Sequence, residues 1–357
     1  MIKMSEAKRI FYLDALRFMA ILCVVLLHVT GHLAEITQFN LTTIYSLSGI
    51  FEMFMNNATR IGIGLFLALS GALILGREVS LKDHLTKRLT RLVKPFIFWS
   101  VVFTALLFFG SYFITGMNFI DDFSLFGFLR LLYNTLLFKA PGSAVYWFFW
   151  MMLGVYLIMP IFNRWISNSN LSEVEYFLII WVITSIFDYT LMMPCPIKLS
   201  YFVSPIGFVL LGYYLRHTDR KIFNNVYVAL LLTLIPVIIM FVYSYAVVDT
   251  KILFEFDKYS ILVIAETAGV FCLFKTSKFL NNPNKYVKSL VSSFALCSYG
   301  MYLIHSQLIM VFRKILHVSF NFYMEYLILF FVGFVLSWLI ILILSKIQII
   351  NNYAGVK

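Results

Sequence analysis

The chain has 357 residues, 61% of them hydrophobic and 13% charged, with a mean hydropathy of +0.89. Soluble domains carry about 25% charged residues, so a water-soluble fold could not hide this much apolar surface, and lipid is the solvent the composition asks for. The net charge of +11 does not mark a nucleic-acid binder, because the basic residues lie in short clusters between apolar runs and form no basic domain.

A spanning helix needs about 20 mostly apolar residues. The first run that qualifies, about 11–33, follows a basic start as a signal peptide would. No small-residue cleavage site follows it, and it carries Arg17 and His28, so a retained helix is expected. The spacing of Arg17 and His28 turns a helix by about 1100°, three turns plus about 20°, which puts both on one face. Asp14, one turn before Arg17, can pair with it, and His32 continues the stripe beyond His28. Counted from Asp14 at about 1.5 Å per residue, His28 lies about 21 Å along the axis, past the midplane of a core about 30 Å thick.

The second span is expected at about 54–76, its continuous apolar part, Ile61 to Leu75, being short. Lys87 to Pro95 then precedes a third span at about 93–115. Arg88 and Arg91 face the same way on the turn before a helix that Pro95 is expected to help begin. Forked guanidiniums at a membrane surface suit a phosphorylated ligand, although ordinary head-group contact gives the same residues. The segment 116–143 reads as an outward-facing amphipathic loop lying on the membrane. Further spans are expected at about 144–163, 174–193, 199–215, 226–248 and 258–275. Asp188 and Glu266 fall within two of them and are candidate partners for buried cations.

The ninth span, about 290–312, carries a second polar stripe. Ser298, Tyr302 and His305 follow i, i+4, i+7 spacing, and His305 lies about 22 Å in from Leu290. Two histidines on different helices thus reach the same depth by separate counts. Histidine suits general-base work near neutral pH, which favours a reactive pair or a base with its orienting partner over two hydrogen-bonded structural groups. A tenth span is expected at about 324–345.

With ten spans and the N-terminus inside, most of the 28 Lys and Arg residues fall in cytoplasmic segments, among them Lys3, Lys8, Arg9 and the cluster from Arg77 to Lys94. The opposite side holds fewer: Arg60, Arg130, Lys139, Lys198, Lys251, Lys258, Arg313 and Lys314. The expected fold class is therefore all-α, a polytopic transmembrane bundle of about ten helices with both termini cytoplasmic, one membrane domain over 1–357 and no soluble appendage. The cysteines (Cys23, Cys195, Cys272, Cys297) are scattered without Cys-x-x-Cys or Cys/His spacing, so neither disulfide nor metal is expected.

In order along the chain, these features resemble the acyltransferase-3 family of integral membrane O-acyltransferases. The resemblance rests on Arg17 and His28 in the first helix, the Gly64-Leu65-Phe66-Leu67-Ala68-Leu69-Ser70-Gly71 run, Arg88-x-x-Arg91, Trp147-Phe148, and Ser298-Tyr299-x-x-Tyr302-Leu303-x-His305. Gly64 stands where the family often has proline. The resemblance implies acetyl-CoA, or another acyl-CoA, as a donor substrate used at the cytoplasmic face of the cell membrane, with no tightly bound cofactor. It implies a hydroxyl of a surface or lipid-linked polysaccharide as acceptor, with other polysaccharide-assembly proteins as possible neighbours. It suggests His28 as the catalytic histidine with Arg17 as its partner, and Arg88 and Arg91 as coenzyme contacts. Asp14 and His305 are expected to support the catalytic pair and Ser70 the coenzyme. Trp147, Tyr302, Ser298 and Glu266 are the expected acceptor contacts. The rival reading is a secondary transporter or glycan flippase, which also uses buried His and Arg, but no internal repeat supports it.

Overall fold

A computed structural model describes residues 10–37, 45–113, 119–193, 199–247, 256–281, 283–315 and 321–356. The expected topology signals Lys3, Lys8, Arg9, Lys198 and Lys251, and the cysteine Cys195, lie outside them. All regular structure among the described residues is helical.

Two long helices form the axis of the bundle: α1, Phe11–Thr37, and, much later in the chain, Lys285–Ile315. Ser292 donates to the Asp14 carboxylate at 3.3 Å near their shared start, and the pair stays together up to His32 and Ser306, 3.5 Å apart. The second expected span is broken into α2, Leu47–Ala58, and α3, Ile61–Ile74. The break falls where Asn56, Asn57, Thr59 and Arg60 bring polar side chains together. Thr59 caps back onto the Met55 carbonyl, and Asn57 reaches Ser244 at 3.2 Å. Taken together, Leu47–Ile74 is still long and apolar enough to span.

The third span departs from expectation more plainly. Its helix, α4, starts at Leu81 and runs to Phe113, so Pro95 lies inside it and does not begin it. The true start is Ser80, whose hydroxyl accepts from the Asp83 N–H at 3.1 Å, a capping signal that outweighs the proline. A π-helical turn, His84–Leu89, widens α4 just before Thr90. Pro95 has no N–H for the carbonyl four residues back, and close by the Tyr299 hydroxyl bonds to the Leu92 carbonyl at 2.6 Å.

The segment expected to face outward contains an amphipathic helix, α5, Leu125–Leu136, which buries Leu131 against α4 and leaves Leu125 and Phe126 exposed. The chain continues through α6, Trp147–Ser167; α7, Leu171–Ser185, extended by a π turn at Ile186–Thr190; α8, Ser200–His217; α9, Val226–Ala246; and α10, Ile261–Thr276. After α11, the Lys285–Ile315 axis helix, come α12, Phe322–Leu344, and a terminal turn, Asn351–Ala354. Seven stretches among the described residues are long and apolar enough to cross a membrane. The expected spans at about 174–193, 199–215 and 258–275 coincide with α7, α8 and α10, which have 15, 18 and 16 residues.

Burial separates central helices from lipid-facing ones. In α11, 78% of the apolar window is buried, against 17% in α9, so α11 is the core of the bundle and α9 its skin. Without a hydrophobic driving force between helices in lipid, close approach depends on small residues. At the crossing of α3 and α8, a Cβ on Gly71 would stand 1.6 Å from the Val209 carbonyl oxygen, and one on Gly212 1.8 Å from that of Ala68. At the other end of the chain, the terminal turn folds against α11 beside a third glycine. The Gly300 N–H donates to the Gly355 carbonyl at 3.2 Å, and the Trp99 indole to that of Ala354 at 3.3 Å.

Candidate active site

Three cavities lie in file along α1. The first, about 150 Å³, sits toward the proximal end of the bundle, where α1 begins. It gathers Arg17 from α1, Ser70 from α3, Arg88 and Arg91 from α4, and Ser298 and Tyr302 from α11. The two serines are tied to their own helices, Ser70 to the Phe66 carbonyl at 3.0 Å and Ser298 to that of Ala295 at 2.9 Å. Three guanidiniums thus edge a narrow space otherwise walled by aromatic rings, among them Phe66, Phe148 and Tyr156.

Tyr302, Phe66 and Phe148 form the shared wall with the second cavity, about 190 Å³. The Tyr302 hydroxyl donates to the Val145 carbonyl at 2.5 Å. That bond fixes the short turn leading into α6, which carries Trp147 and Phe148. Beyond His28 lies the third and largest cavity, about 790 Å³, at the distal end. His28 and Trp147 line both the second and third cavities.

The two histidines meet. His305 Nε2 is 3.4 Å from His28 Nδ1, with the rings edge to face and centroids 5.0 Å apart. The tautomers follow from the backbone partners. His28 Nδ1 lies 2.7 Å from the Val24 carbonyl and His305 Nδ1 2.9 Å from that of Tyr302, so each Nδ1 carries a proton and donates it. His305 Nε2 is then an acceptor facing His28, and the unprotonated nitrogen of His28 is Nε2. A neutral imidazole held this way has a fixed ring plane and one available lone pair, the form a general base or nucleophile needs.

Other expected residues fall elsewhere. Asp14 is buried against Ser292 and lines none of the three cavities. Glu266 is 2% exposed on α10, lines none of them either, and has one carboxylate oxygen without a hydrogen-bond partner among the described residues. Gly64 is explained by contact: a Cβ there would lie 2.6 Å from the Thr267 hydroxyl and 2.9 Å from the Phe208 ring. Four cations read from sequence only as topology signals, Arg60, Lys258, Arg313 and Lys314, line the second and third cavities. Their signal was present in the sequence, since basic residues on that side run against the charge bias.

An all-helical bundle with several spans long and apolar enough for lipid, holding half-buried arginines and a histidine pair between its helices, is a multi-pass membrane protein. The chain matches the acyltransferase-3 family, described as an acyltransferase domain, over residues 10–342, and it belongs to that family. It is a membrane acyltransferase. No curated protein and no solved structure matches it.

Proposed function

We propose that the protein is an O-acyltransferase of the cell membrane, moving an acyl group, acetyl by first expectation, from cytoplasmic acyl-CoA to a hydroxyl of a surface or lipid-linked polysaccharide. The observation that supports this is the file of cavities along one helix, with Arg17 facing the first and His28 the second and third. In this reading the proximal end is cytoplasmic, and α7, α8 and α10 complete ten spans. Most of α10 is buried in protein, where less apolar surface is needed than against lipid, while α7, lengthened by its π turn at Ile186–Thr190, keeps an exposed apolar face at Tyr176, Ile179 and Ile183.

Arg88 and Arg91 hold the coenzyme phosphates at the mouth of the first cavity, as forked charge-assisted donors. The pantetheine arm then runs between the aromatic walls toward Tyr302. Arg17 and His28 are about 16 Å apart along the axis, a distance an extended pantetheine arm covers. The acceptor enters from the opposite side, and its hydroxyl meets the thioester carbonyl at His28.

Two routes use the same lone pair. In one, His28 Nε2 takes the hydroxyl proton as the new C–O bond forms, and the C–S bond breaks to release the thiolate, which recovers that proton as the coenzyme thiol. In the other, Nε2 attacks first, the C–S bond breaks to leave the thiolate and an acyl group on the imidazole, and the hydroxyl oxygen then takes that group from the nitrogen while its proton passes to the thiolate. Both fit a histidine beyond the midplane, which a cytoplasmic thioester and an outward sugar can reach from opposite sides.

The test compares membranes containing and lacking this chain for transfer of label from radiolabelled acetyl-CoA into glycan. Transfer that depends on the chain supports the reading. Glycan that is moved across the membrane by the chain but never labelled would favour a carrier instead.

A further inference from the structure

A proline in α6 lies beside the turn of α4 that carries Arg88. Pro160 has no N–H, so it cannot close the helical bond to the carbonyl four residues back, which is that of Tyr156. A donor from another helix reaches that carbonyl instead: His84 Nε2 lies 3.0 Å from its oxygen. A carbonyl only accepts, so Nε2 carries the proton and donates it. His84 is 4% exposed, and its ring meets that of Tyr156 edge to face. It lines none of the three cavities, so it is no coenzyme contact itself.

His84 opens the π turn His84–Leu89, which also carries Arg88. Such turns are rare and often mark functional sites. A second tie runs from the same face of α6, because Asn163 lies seven residues after Tyr156. Asn163 accepts from the Gly76 N–H at 2.8 Å and donates to the Arg77 carbonyl at 2.8 Å. On the outer side, Lys87 pairs with Asp83 at 3.0 Å, a contact that ties the turn only to itself. Helix α6 thus braces the run from Gly76 to Arg88 at two points, and the second is one turn from Arg88. Tyr156 lines the first cavity together with Arg88 and Arg91, so the bond from His84 joins the two walls of that cavity.

We infer that His84 is a positioning residue for the acyl-CoA donor: its bond to the Tyr156 carbonyl, made where Pro160 cannot bond, sets the π turn so that Arg88 meets the coenzyme phosphates. The inference rests on the coenzyme reading of Arg88 above and deepens it. A forked phosphate contact needs two N–H groups aimed at once, so a turn that slips by about 1 Å loses the fork while keeping the charge. Packing alone does not call for histidine here. Phenylalanine would keep the ring and its contact with Tyr156 but has no donor, whereas glutamine would keep a side-chain N–H to offer the carbonyl.

The test measures acetyl-CoA binding by the full-length protein in phosphatidylcholine nanodiscs, and acyl transfer in inverted vesicles at matched protein level. His84→Phe is expected to weaken acetyl-CoA binding about tenfold and to raise the half-saturating concentration alike, with the rate at saturating acetyl-CoA unchanged. That split separates positioning from a loss of folded protein, which lowers the rate at every concentration. His84→Gln is expected to restore most of the affinity, and His84→Phe to add nothing in the Arg88→Ala background. Unchanged affinity in His84→Phe, equal weakening by His84→Gln, or full additivity with Arg88→Ala would overturn the inference while leaving acyl transfer intact. Where His84→Phe does not accumulate, Asn163→Ala releases the other tie at a half-buried site; it is expected to weaken acetyl-CoA binding severalfold, and unchanged affinity there would overturn the inference as well. Failure of the wild type to bind acetyl-CoA, or undiminished binding by Arg88→Ala, would instead overturn the underlying reading, and the inference with it.

Discussion

Gly71→Ala is expected to damage the protein far out of proportion to one methyl group. The added carbon would stand 1.6 Å from the Val209 carbonyl oxygen and 2.5 Å from the carbonyl carbon. An undistorted carbon–oxygen contact is about 3.3 Å or longer, so α3 and α8 must part by roughly 1.5–2 Å at their crossing. Backbone lies on both sides, which leaves no side chain to rotate away. Overpacking a dense interior costs about 1–3 kcal/mol and sometimes more, and the gain in helix propensity on replacing glycine returns at most about 1 kcal/mol. The net effect is a loss of about 2 kcal/mol. Gly154 on α6 supplies the control, because a Cβ there meets nothing within 4 Å, and Gly154→Ala is expected to be neutral or slightly stabilising. Thermal unfolding of detergent-solubilised fluorescent fusions, followed by size exclusion, measures both. Equal melting of Gly71→Ala and Gly154→Ala would refute the packing argument. Phe66 and Ser70 on α3 also line the first cavity, so Gly71→Ala is expected to weaken acetyl-CoA binding as well.

Three further outcomes follow from the site. His305→Ala removes the acceptor beside His28 Nδ1 but leaves the Val24 carbonyl in place, so acyl transfer should fall about tenfold; full activity at matched protein level would mean the pair has no joint role. Arg88→Lys and Arg91→Lys keep the charge but lose the fork, and each should raise the acetyl-CoA concentration needed for half-maximal transfer about tenfold without altering acceptor use. Two unchanged saturation curves would reduce those arginines to topology signals. Glu266→Gln should insert and transfer acyl groups normally, since the carboxylate lines none of the three cavities, and a strong loss of activity would place it in the chemistry after all.

Much of the site was legible because helical geometry acts on individual residues. A spacing that returns to the same face linked Arg17 to His28, and a fixed rise per residue brought His28 and His305 to one depth; the structure has those rings 5.0 Å apart. The pair Arg88 and Arg91 needed only its spacing. What the sequence did not reveal depends on packing between distant segments. Arg60, Lys258, Arg313 and Lys314 stand out against the charge bias, but nothing in their own neighbourhoods says that they turn into cavities. Pro95 looked like a helix start because the Ser80 cap lies far upstream of the apolar run. Glu266 drew notice as a carboxylate within a span, yet its burial behind α1 is a tertiary fact. The helices α8 and α10 are short for the same reason: they pack against protein, and their sequences need satisfy lipid only in part.

The central claim is that His28 carries the acyl transfer, and it is tested most directly with inverted membrane vesicles, which expose the cytoplasmic face to added coenzyme. Radiolabelled acetyl-CoA is supplied to vesicles containing the wild type or His28→Ala at matched protein levels, and label in the glycan fraction is counted. General-base catalysis contributes about 10²–10⁴-fold, so the variant should label glycan no faster than vesicles without the protein, while still binding acetyl-CoA. Labelling by His28→Ala at the wild-type rate would contradict the account.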